Sequence, residues 1–290
     1  MRTFVAMTVG VTAALTRPAE SFVQSALPTF TGGSGALPGN SGNLKRAFPS
    51  SSSRSCQMAA DESSASRLVL QDSDRRKSNM APDAAFYDRP RICFHVDQGF
   101  MDQLTQLYRE RIPAGGVVLD IMSSWVSHLP PEVSYARVDG HGMNMEELNK
   151  NRRLDSKKVN DLNAVPRLPF EADMYDAVTC AVSVQYLQRP EAVFTDVQRV
   201  LKPGGVAIFS FSNRMFPDKA IAAWKERSDY ARLQLVSEYF YAAGGFEQPE
   251  IIQRRSRGPS GFLGGVGVAL GLVGPGDPFL AVVAQKRANP

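Results

Sequence analysis

The sequence predicts an α/β protein with a doubly wound, mostly parallel sheet in a single folded domain. Two observations support this prediction. Short apolar segments alternate with amphipathic ones through the middle of the chain, which is typical of parallel strands connected by helices. The last two apolar segments, 248–255 and 278–286, have no full-length helix between them, so we expect an antiparallel terminal pair at the edge of the sheet.

The first predicted helix, over 98–111, is marked at both ends. Asp97 is a favoured N-cap residue, apolar residues then recur at helical spacing, and Pro113 stops the helix. A short apolar strand over 117–121 follows, and after it we expect at most two helical turns over 123–129. In doubly wound sheets, ligands bind beyond the carboxyl ends of the strands, where strand order reverses. The turn after this first strand is therefore the place to look for a ligand site.

The alternation continues to the end of the chain. A helix over 189–202 ends in Pro203-Gly204-Gly205, a helix stop that leads directly into an apolar strand. The other elements expected are strands over 134–140, over 157–163, from 174 and over 206–212, with helices from 145, over 218–227 and over 232–244.

The charge of the chain is unevenly distributed. The formal net charge is +4 and the sequence pI is about 9.0. Residues 1–60 contain five basic residues and one acidic residue, so residues 61–290, with 28 of each, are neutral. A neutral folded part has no electrostatic footprint for a phosphate backbone, which argues against nucleic acid as a partner.

Residues 1–60 have the composition of a targeting leader. An apolar run lies near the N-terminus, small residues precede Phe22, and 22–60 contains no acidic residue, as in a signal peptide followed by a transit peptide. This order resembles the bipartite plastid-targeting leaders of algae, so we expect a plastid location, with a mitochondrial or secreted location as the alternatives. We expect residues 61–84 to form a polar linker and residues 85–290 to form the domain.

Other features of the sequence indicate little specific chemistry. The three cysteines and three histidines have no spacing typical of a metal site or a disulfide framework, so no metal is expected. No apolar stretch is long enough to span a bilayer. The glycine-rich segment 257–277 is interpreted as a mobile loop; the alternative is a pocket lid or a membrane-surface contact through Phe262 and Leu263.

The stretch 160–205 resembles the class I S-adenosylmethionine-dependent methyltransferases, and the matching pieces occur in the family's order. An acid, Asp161, follows the third strand. "LPF" (168–170) comes next, an aromatic-Asp pair (175–176) opens the fourth strand, and "RVLKPGG" (199–205) leads into the fifth.

This resemblance extends over about 90–285 and implies a Rossmann-like sheet, S-adenosylmethionine as cofactor and methyl transfer as the reaction. The stretches "LDIMSSW" (119–125) and "SHLP" (127–130) resemble more closely one subgroup of this superfamily, of the methyltransferase type 11 kind. In that family the turn after the first strand is rich in glycine, and here it is not.

The resemblance places the cofactor against this turn. Ser123 and Ser124 are small, and at the start of the expected short helix their hydroxyls and the exposed N–H groups could bind the carboxylate or the amine of the cofactor's amino-acid tail. Asp120 stands where the family has an acid near the tail ammonium. The residues expected to contact the cofactor are Asp120, Met122, Ser123, Ser124, Gly140, Gly142, Asn144, Asp161, Leu162 and Val182.

The ribose contact departs from the family pattern. Gly142 stands where the family has the acid that binds the ribose hydroxyls, and Asn144 or a ring nitrogen of His141 could substitute for it. The pair Asp161 and Leu162 resembles the residues that meet the edge of the adenine.

Methyl transfer from a sulfonium is an in-line displacement that depends first on positioning, with a general base needed only where the acceptor loses a proton. The candidate catalytic residues are His95, Tyr186 and Asn213. The Asn/Asp-Pro-Pro-Tyr signature of amino-nitrogen methylation is absent after the fourth strand, where "VSVQYL" stands. We therefore expect a small organic acceptor.

Two rival interpretations remain at the level of sequence. One is a non-catalytic protein that keeps the methyltransferase fold as a binding or scaffold module. The other is a nicotinamide oxidoreductase on a similar sheet, which would need a glycine-rich turn able to seat a pyrophosphate. Met122 and Trp125 in that turn argue against the second.

Overall fold

In the computed structural model, residues 68–254 and 276–288 are described, and in these residues the chain forms a seven-stranded mixed sheet. The strands are β1 (Val117–Asp120), β2 (Arg137–Gly142), β3 (Ser156–Val159), β4 (Tyr175–Ala181), β5 (Leu201–Phe211), β6 (Glu250–Arg254) and β7 (Phe279–Gln285). Their order is β3-β2-β1-β4-β5-β7-β6. The first five are parallel, and β7 pairs antiparallel with both β5 and β6. The predicted α/β fold with an antiparallel terminal pair is confirmed.

The helices of the described residues are α1 (Asp83–Tyr87), α2 (Gln98–Arg111), α3 (Met145–Lys150), α4 (Pro190–Val200), α5 (Ala222–Lys225) and α6 (Asp229–Ala243), with a 3-10 turn at Val184–Tyr186. The predicted cap of α2 is confirmed, because the Asp97 carboxylate accepts from the N–H of Phe100 at 2.8 Å. None of these helices is long and apolar enough to cross a membrane.

Neighbouring residues of the central strands belong to opposite faces of the sheet. Leu119 and Phe209 pack with residues of α4 and α6 in one buried cluster. Val118 and Ile208, the residues just before them, pack with residues of α2 in a second cluster. Because side chains alternate along a strand, helices cover both faces, which explains why β1, β4 and β5 are almost wholly apolar.

The prediction of a helix over 123–129 is wrong. This segment contains no helix, and Met122 and His128 have left-handed backbone conformations with φ of 52° and 54°. The N–H of Ser123 donates to the carbonyl of His141 at the end of β2, so the chain after β1 is tied to its neighbouring strand.

Two other boundaries differ from the expectation. The Pro203-Gly204-Gly205 stop lies inside β5, which begins directly after α4. The helix expected over 218–227 is only the single turn α5. Element ends depend on local contacts that a sequence pattern does not specify.

Part of the expected linker is folded onto the domain. Leu70 is buried, and the carboxylate of Glu191 on α4 accepts from the N–H groups of Val69 and Leu70 and from the guanidinium of Arg75. Residues 68–84 therefore belong to the folded body. The expected leader, and the glycine-rich segment up to residue 275, lie outside the described residues.

Replacing Glu191 tests this attachment. Glu191→Ala removes a buried acceptor of four donors and leaves the Arg75 guanidinium without its ion-pair partner. We expect a loss of about 2 kcal/mol or more in the free energy of unfolding, measured by urea denaturation. Glu171→Gln, at an exposed carboxylate, is the control and should change stability little. Equal stability of the two variants would show that this segment is not anchored through Glu191.

Candidate functional site

A pocket of about 520 Å³ lies beyond the carboxyl ends of the parallel strands. It is centred near β1 and β4, where strand order reverses, and its volume suits a small-molecule ligand. The predicted residues that line it are Met122, Ser123, Ser124, Gly142, Asn144, Asp161, Leu162 and Val182 among the cofactor candidates, and His95, Tyr186 and Asn213 among the catalytic candidates. Asp120 and Gly140 lie outside its lining.

The turn after β1 keeps a tight conformation without glycine. Met122 adopts φ 52°, a region that glycine enters freely and other residues seldom do. The hydroxyl of Ser123 donates to a carboxylate oxygen of Asp120 at 2.6 Å, and that of Ser124 donates to Glu147 at 2.6 Å. Because both hydroxyl hydrogens point at carboxylates, the serine oxygens can only accept further bonds. They therefore suit an ammonium or a hydroxyl group, which favours the amine over the carboxylate of the two tail groups expected here.

Asp120 lies beneath Ser123, away from the pocket surface. It is buried and also accepts from the hydroxyl of Thr179 at 3.1 Å. Burial raises the pKa of this carboxyl to about 6, although the bonds from Ser123 and Thr179 oppose the shift. At neutral pH it is therefore an ionised carboxylate one side chain behind the pocket.

A side chain is excluded at each of the two glycines of β2, but by different neighbouring atoms. A Cβ at Gly142 would lie 2.5 Å from the carbonyl oxygen of Ser123 and 3.2 Å from the side chain of Leu148. A Cβ at Gly140 would collide with the side chain of Leu154, outside the pocket. The turn after β1 thus presses directly on Gly142, and no acid fits there on this backbone.

Asn144 and His141, the two residues expected to substitute for that acid, differ in whether their side-chain atoms are available for hydrogen bonds to a ligand. The side-chain oxygen of Asn144 accepts from the N–H groups of Glu146 and Glu147, and its amide nitrogen donates to the carbonyls of Tyr87 and Asp88. Asn144 is therefore occupied as the cap of α3. Nε2 of His141 is buried and has no hydrogen-bond partner among the described residues, and burial lowers the pKa of this imidazole to about 4. At neutral pH it is uncharged.

Beyond β3 the pocket is lined by Leu162 and by the polar residues Asn160, Asp161 and Asn163. Leu162 is buried and lines the pocket with Met143 and Leu187. Asp161 stands at its edge, where its carboxylate accepts from the N–H of Asn163 at 2.8 Å. An apolar side chain next to a carboxylate suits a heterocycle with an exocyclic amino group.

The other half of the pocket is aromatic. Tyr87, from the segment 83–97 that we call the arm, faces Tyr186 and Phe216 across it. The hydroxyl of Tyr186 accepts from the N–H of Phe216 at 2.9 Å, and the two rings stack at 5.9 Å. Tyr186 thus holds the loop after β5 in place.

His95 on the arm meets the ring of Phe216 edge-on at 5.5 Å. Burial of its ring lowers the pKa of this imidazole, an effect that the carboxylate of Glu147 opposes. His95 is therefore neutral at pH 7 and able to accept a proton. Its position at the pocket, on the exposed side, meets the first requirement for a general base.

Several residues that line the pocket were not expected from the sequence, among them Arg91, Glu147 and Phe216. A signal existed for Glu147, since Asn144 followed three residues later by Glu is the pattern of a capping box. The guanidinium of Arg91 lies over the ring of Phe86 at 4.3 Å, a contact between residues of the arm that periodicity does not reveal.

Comparison with known proteins agrees with this geometry. Residues 123–209 match the family model of a methyltransferase domain. None of the proteins of curated function matches the chain.

Several solved structures are similar at low identity. An S-adenosylmethionine-dependent methyltransferase from Mesorhizobium loti is 17% identical, with 64% of this chain and 100% of that chain covered and a TM-score of 0.43. Phosphoethanolamine N-methyltransferase 2 of Haemonchus contortus, bound to S-adenosyl-L-methionine, is 16% identical, with 68% and 54% covered and a TM-score of 0.45. The [4+2]-cyclase SpnF is 18% identical, with 65% and 81% covered and a TM-score of 0.45.

The strand order and the family match together define the class of protein. The chain contains a methyltransferase domain on a mixed, Rossmann-like sheet. The resemblance of the sequence to class I S-adenosylmethionine-dependent methyltransferases implies S-adenosylmethionine as the cofactor of this domain.

The pocket fits this cofactor. Leu162 and Asp161 suit the adenine, and the serine oxygens, each backed by a carboxylate, suit the ammonium and hydroxyl groups. The unpartnered Nε2 of His141 is a further polar group available beside the pocket. A pyrophosphate would instead meet the carboxylates of Asp120 and Glu147 behind the turn, which disfavours a nicotinamide dinucleotide.

Adding a methyl group at Gly142 tests the contact between turn and strand. In Gly142→Ala the new Cβ meets a backbone oxygen, so the turn itself must move, and we expect S-adenosylhomocysteine to bind about tenfold more weakly. The matched control is Gly140→Ala, whose Cβ meets only the flexible end of Leu154. It should lower the melting temperature without changing affinity, both measured on the purified chain. An unchanged affinity in Gly142→Ala would contradict the assignment.

The buried carboxyl of Asp120 predicts a pH dependence of stability. Its folded pKa lies above the unfolded value, so its stabilising contribution is present below about pH 4 and is lost as pH rises through about 6. The free energy of unfolding of Asp120→Asn, measured by urea denaturation, should therefore rise relative to that of the parent by on the order of 2 kcal/mol between pH 4 and pH 7. The exposed control, Asp102→Asn, should show no such trend. A constant difference across this range would refute the raised pKa.

Proposed function

We propose that this enzyme transfers the methyl group of S-adenosylmethionine to a small organic acceptor held between the arm and the carboxyl ends of the strands. The observation that carries the proposal is the aromatic half of the pocket, formed by Tyr87, Tyr186 and Phe216. These side chains offer flat apolar surfaces with few polar groups, as sites for small planar or apolar molecules do.

A small acceptor also agrees with the charge of the chain. Residues 61–290 are formally neutral, so the domain lacks the excess of basic side chains that binds nucleic acid. At the mouth of the pocket, Arg214 is paired with Asp277 at 2.6 Å. These features support an acceptor that enters the pocket as a single small molecule, such as a phenol, a quinol, a carboxylate or a lipid-like compound.

The cofactor residues are proposed from their positions. Asp161 and Leu162 would hold the adenine, and Ser123, backed by the ionised Asp120, would accept from the tail ammonium. Met122 and Val182 would contribute backbone, since both adopt positive φ at the ends of neighbouring strands. Gly140 is proposed to act only by allowing β2 to pack.

The cofactor supplies an electrophilic methyl group when it is bound. The residues of the chain would then orient the acceptor and exclude water. Tyr186 positions Phe216 against the acceptor, and Asn213 offers an amide at the pocket mouth. For an acceptor that must lose a proton, the neutral ring of His95 is the proposed base.

Calorimetry and a methyl-transfer assay test the proposal. The full chain should bind S-adenosylhomocysteine with a dissociation constant in the micromolar range, and no heat at millimolar ligand would contradict cofactor binding. With S-adenosylmethionine labelled at the methyl group, label should appear in a member of a panel of phenols, quinols and carboxylates. Label found only in added protein or nucleic acid would refute a small acceptor.

The second function retained is a non-catalytic binding or scaffold protein. The left-handed, non-glycine turn at Met122 is the observation that favours it, because a turn lacking the family's glycines could mark a lost site. It predicts either that the chain does not bind S-adenosylhomocysteine, or that it binds this ligand and transfers no label to any acceptor.

A further inference from the structure

The missing acid at the end of β2 leaves a chemical gap in the proposed cofactor site. A ribose diol buried in a pocket needs hydrogen-bond acceptors, and a carboxylate is the strongest. Gly142 cannot be that acid, because a Cβ there would lie 2.5 Å from the carbonyl oxygen of Ser123. Asn144 has its side-chain atoms engaged with α3 and the arm.

Glu147 brings a carboxylate to the same place from the next element of the chain. It is the third residue of α3, is only 9% exposed and lines the pocket. One carboxylate oxygen accepts from the hydroxyl of Ser124 at 2.6 Å, and the other accepts from the N–H of Arg91 at 2.6 Å. Donors from both sides therefore fix its orientation.

This carboxylate retains unused acceptor capacity. Each oxygen carries a second lone pair, and within residues 68–254 and 276–288 no cationic side chain lies within salt-bridge distance of it. The Ser124 oxygen beside it is also an acceptor only. Together they form a surface that recognises hydroxyl donors and repels anions.

The order of the strands indicates which part of the cofactor would contact Glu147. Along the sheet edge, Asp161 follows β3, Glu147 follows β2, and Ser123 follows β1. S-adenosylmethionine is itself linear, with adenine at one end, ribose in the middle and the amino-acid tail at the other end. If the base lies beyond β3 and the tail at β1, the ribose lies beside Glu147.

We propose that Glu147 accepts hydrogen bonds from the ribose hydroxyls and takes the place of the acid that Gly142 excludes. This assignment rests on the proposed binding mode of the cofactor. The same carboxylate holds the backbone of the arm at Arg91, so the diol and the arm that covers the acceptor half share one anchor.

A cycle of protein and ligand changes tests the proposal. Calorimetry on the full chain compares S-adenosylhomocysteine with its 2′-deoxy and 3′-deoxy analogues, for the parent and for Glu147→Gln. The parent should lose about tenfold or more in affinity on removal of a hydroxyl, as expected for a hydrogen bond to a charged group. Glu147→Gln should bind S-adenosylhomocysteine about tenfold more weakly and should discriminate less among the three ligands.

The control is Glu146→Gln, the preceding residue of α3, whose side chain is exposed. It should bind all three ligands like the parent. If Glu147→Gln does not fold, as judged by circular dichroism and melting, Glu147→Asp keeps the charge but withdraws it by one methylene and should show the same reduced discrimination.

The outcomes separate this assignment from the proposed function. If the parent does not bind S-adenosylhomocysteine, cofactor binding itself fails. If the parent binds it, but the penalty for each missing hydroxyl is the same in the parent and in a folded Glu147 variant, the role of Glu147 is overturned.

Discussion

The close approach of the turn after β1 to the end of β2 is the constraint on which the site depends. The carbonyl of Ser123 lies over Gly142, and its N–H is bound to the carbonyl of His141. This contact leaves no room for a side chain at Gly142 and holds the turn without the glycines that usually form it. Met122, directly before Ser123, has a left-handed conformation, a strain that the surrounding sheet must offset.

Two carboxylates behind the turn give the pocket its chemical character. Asp120 and Glu147 each take the hydroxyl hydrogen of one serine, so the surface facing the pocket is made of oxygen acceptors. Such a surface favours ammonium and hydroxyl groups over phosphate, because a phosphate would bring like charges together in a site of low dielectric. Serine hydroxyls bound to carboxylates thus face the pocket at the position where the resemblance to the family leads one to expect glycines.

The arm connects the cofactor half of the pocket to the acceptor half. Its backbone is bound by Asn144 and Glu147 of α3, and the indole N–H of Trp125 donates to the carbonyl of Cys93. On the other side, residues before the arm are anchored to α4 through Glu191. A segment that the sequence suggests is partly linker thus forms a wall of the pocket.

The sequence by itself determined the sheet, the antiparallel terminal pair, the cap of α2 and the region of the site, because these follow from periodicity and from local helix stops. It also indicated several of the residues that line the pocket. Only the tertiary structure decided that 123–129 is not a helix, that Asn144 is occupied as a cap and that Glu147 faces Ser124. These depend on contacts between β1, β2, α3 and the arm. Residues far apart in the chain make those contacts, so no local pattern encodes them.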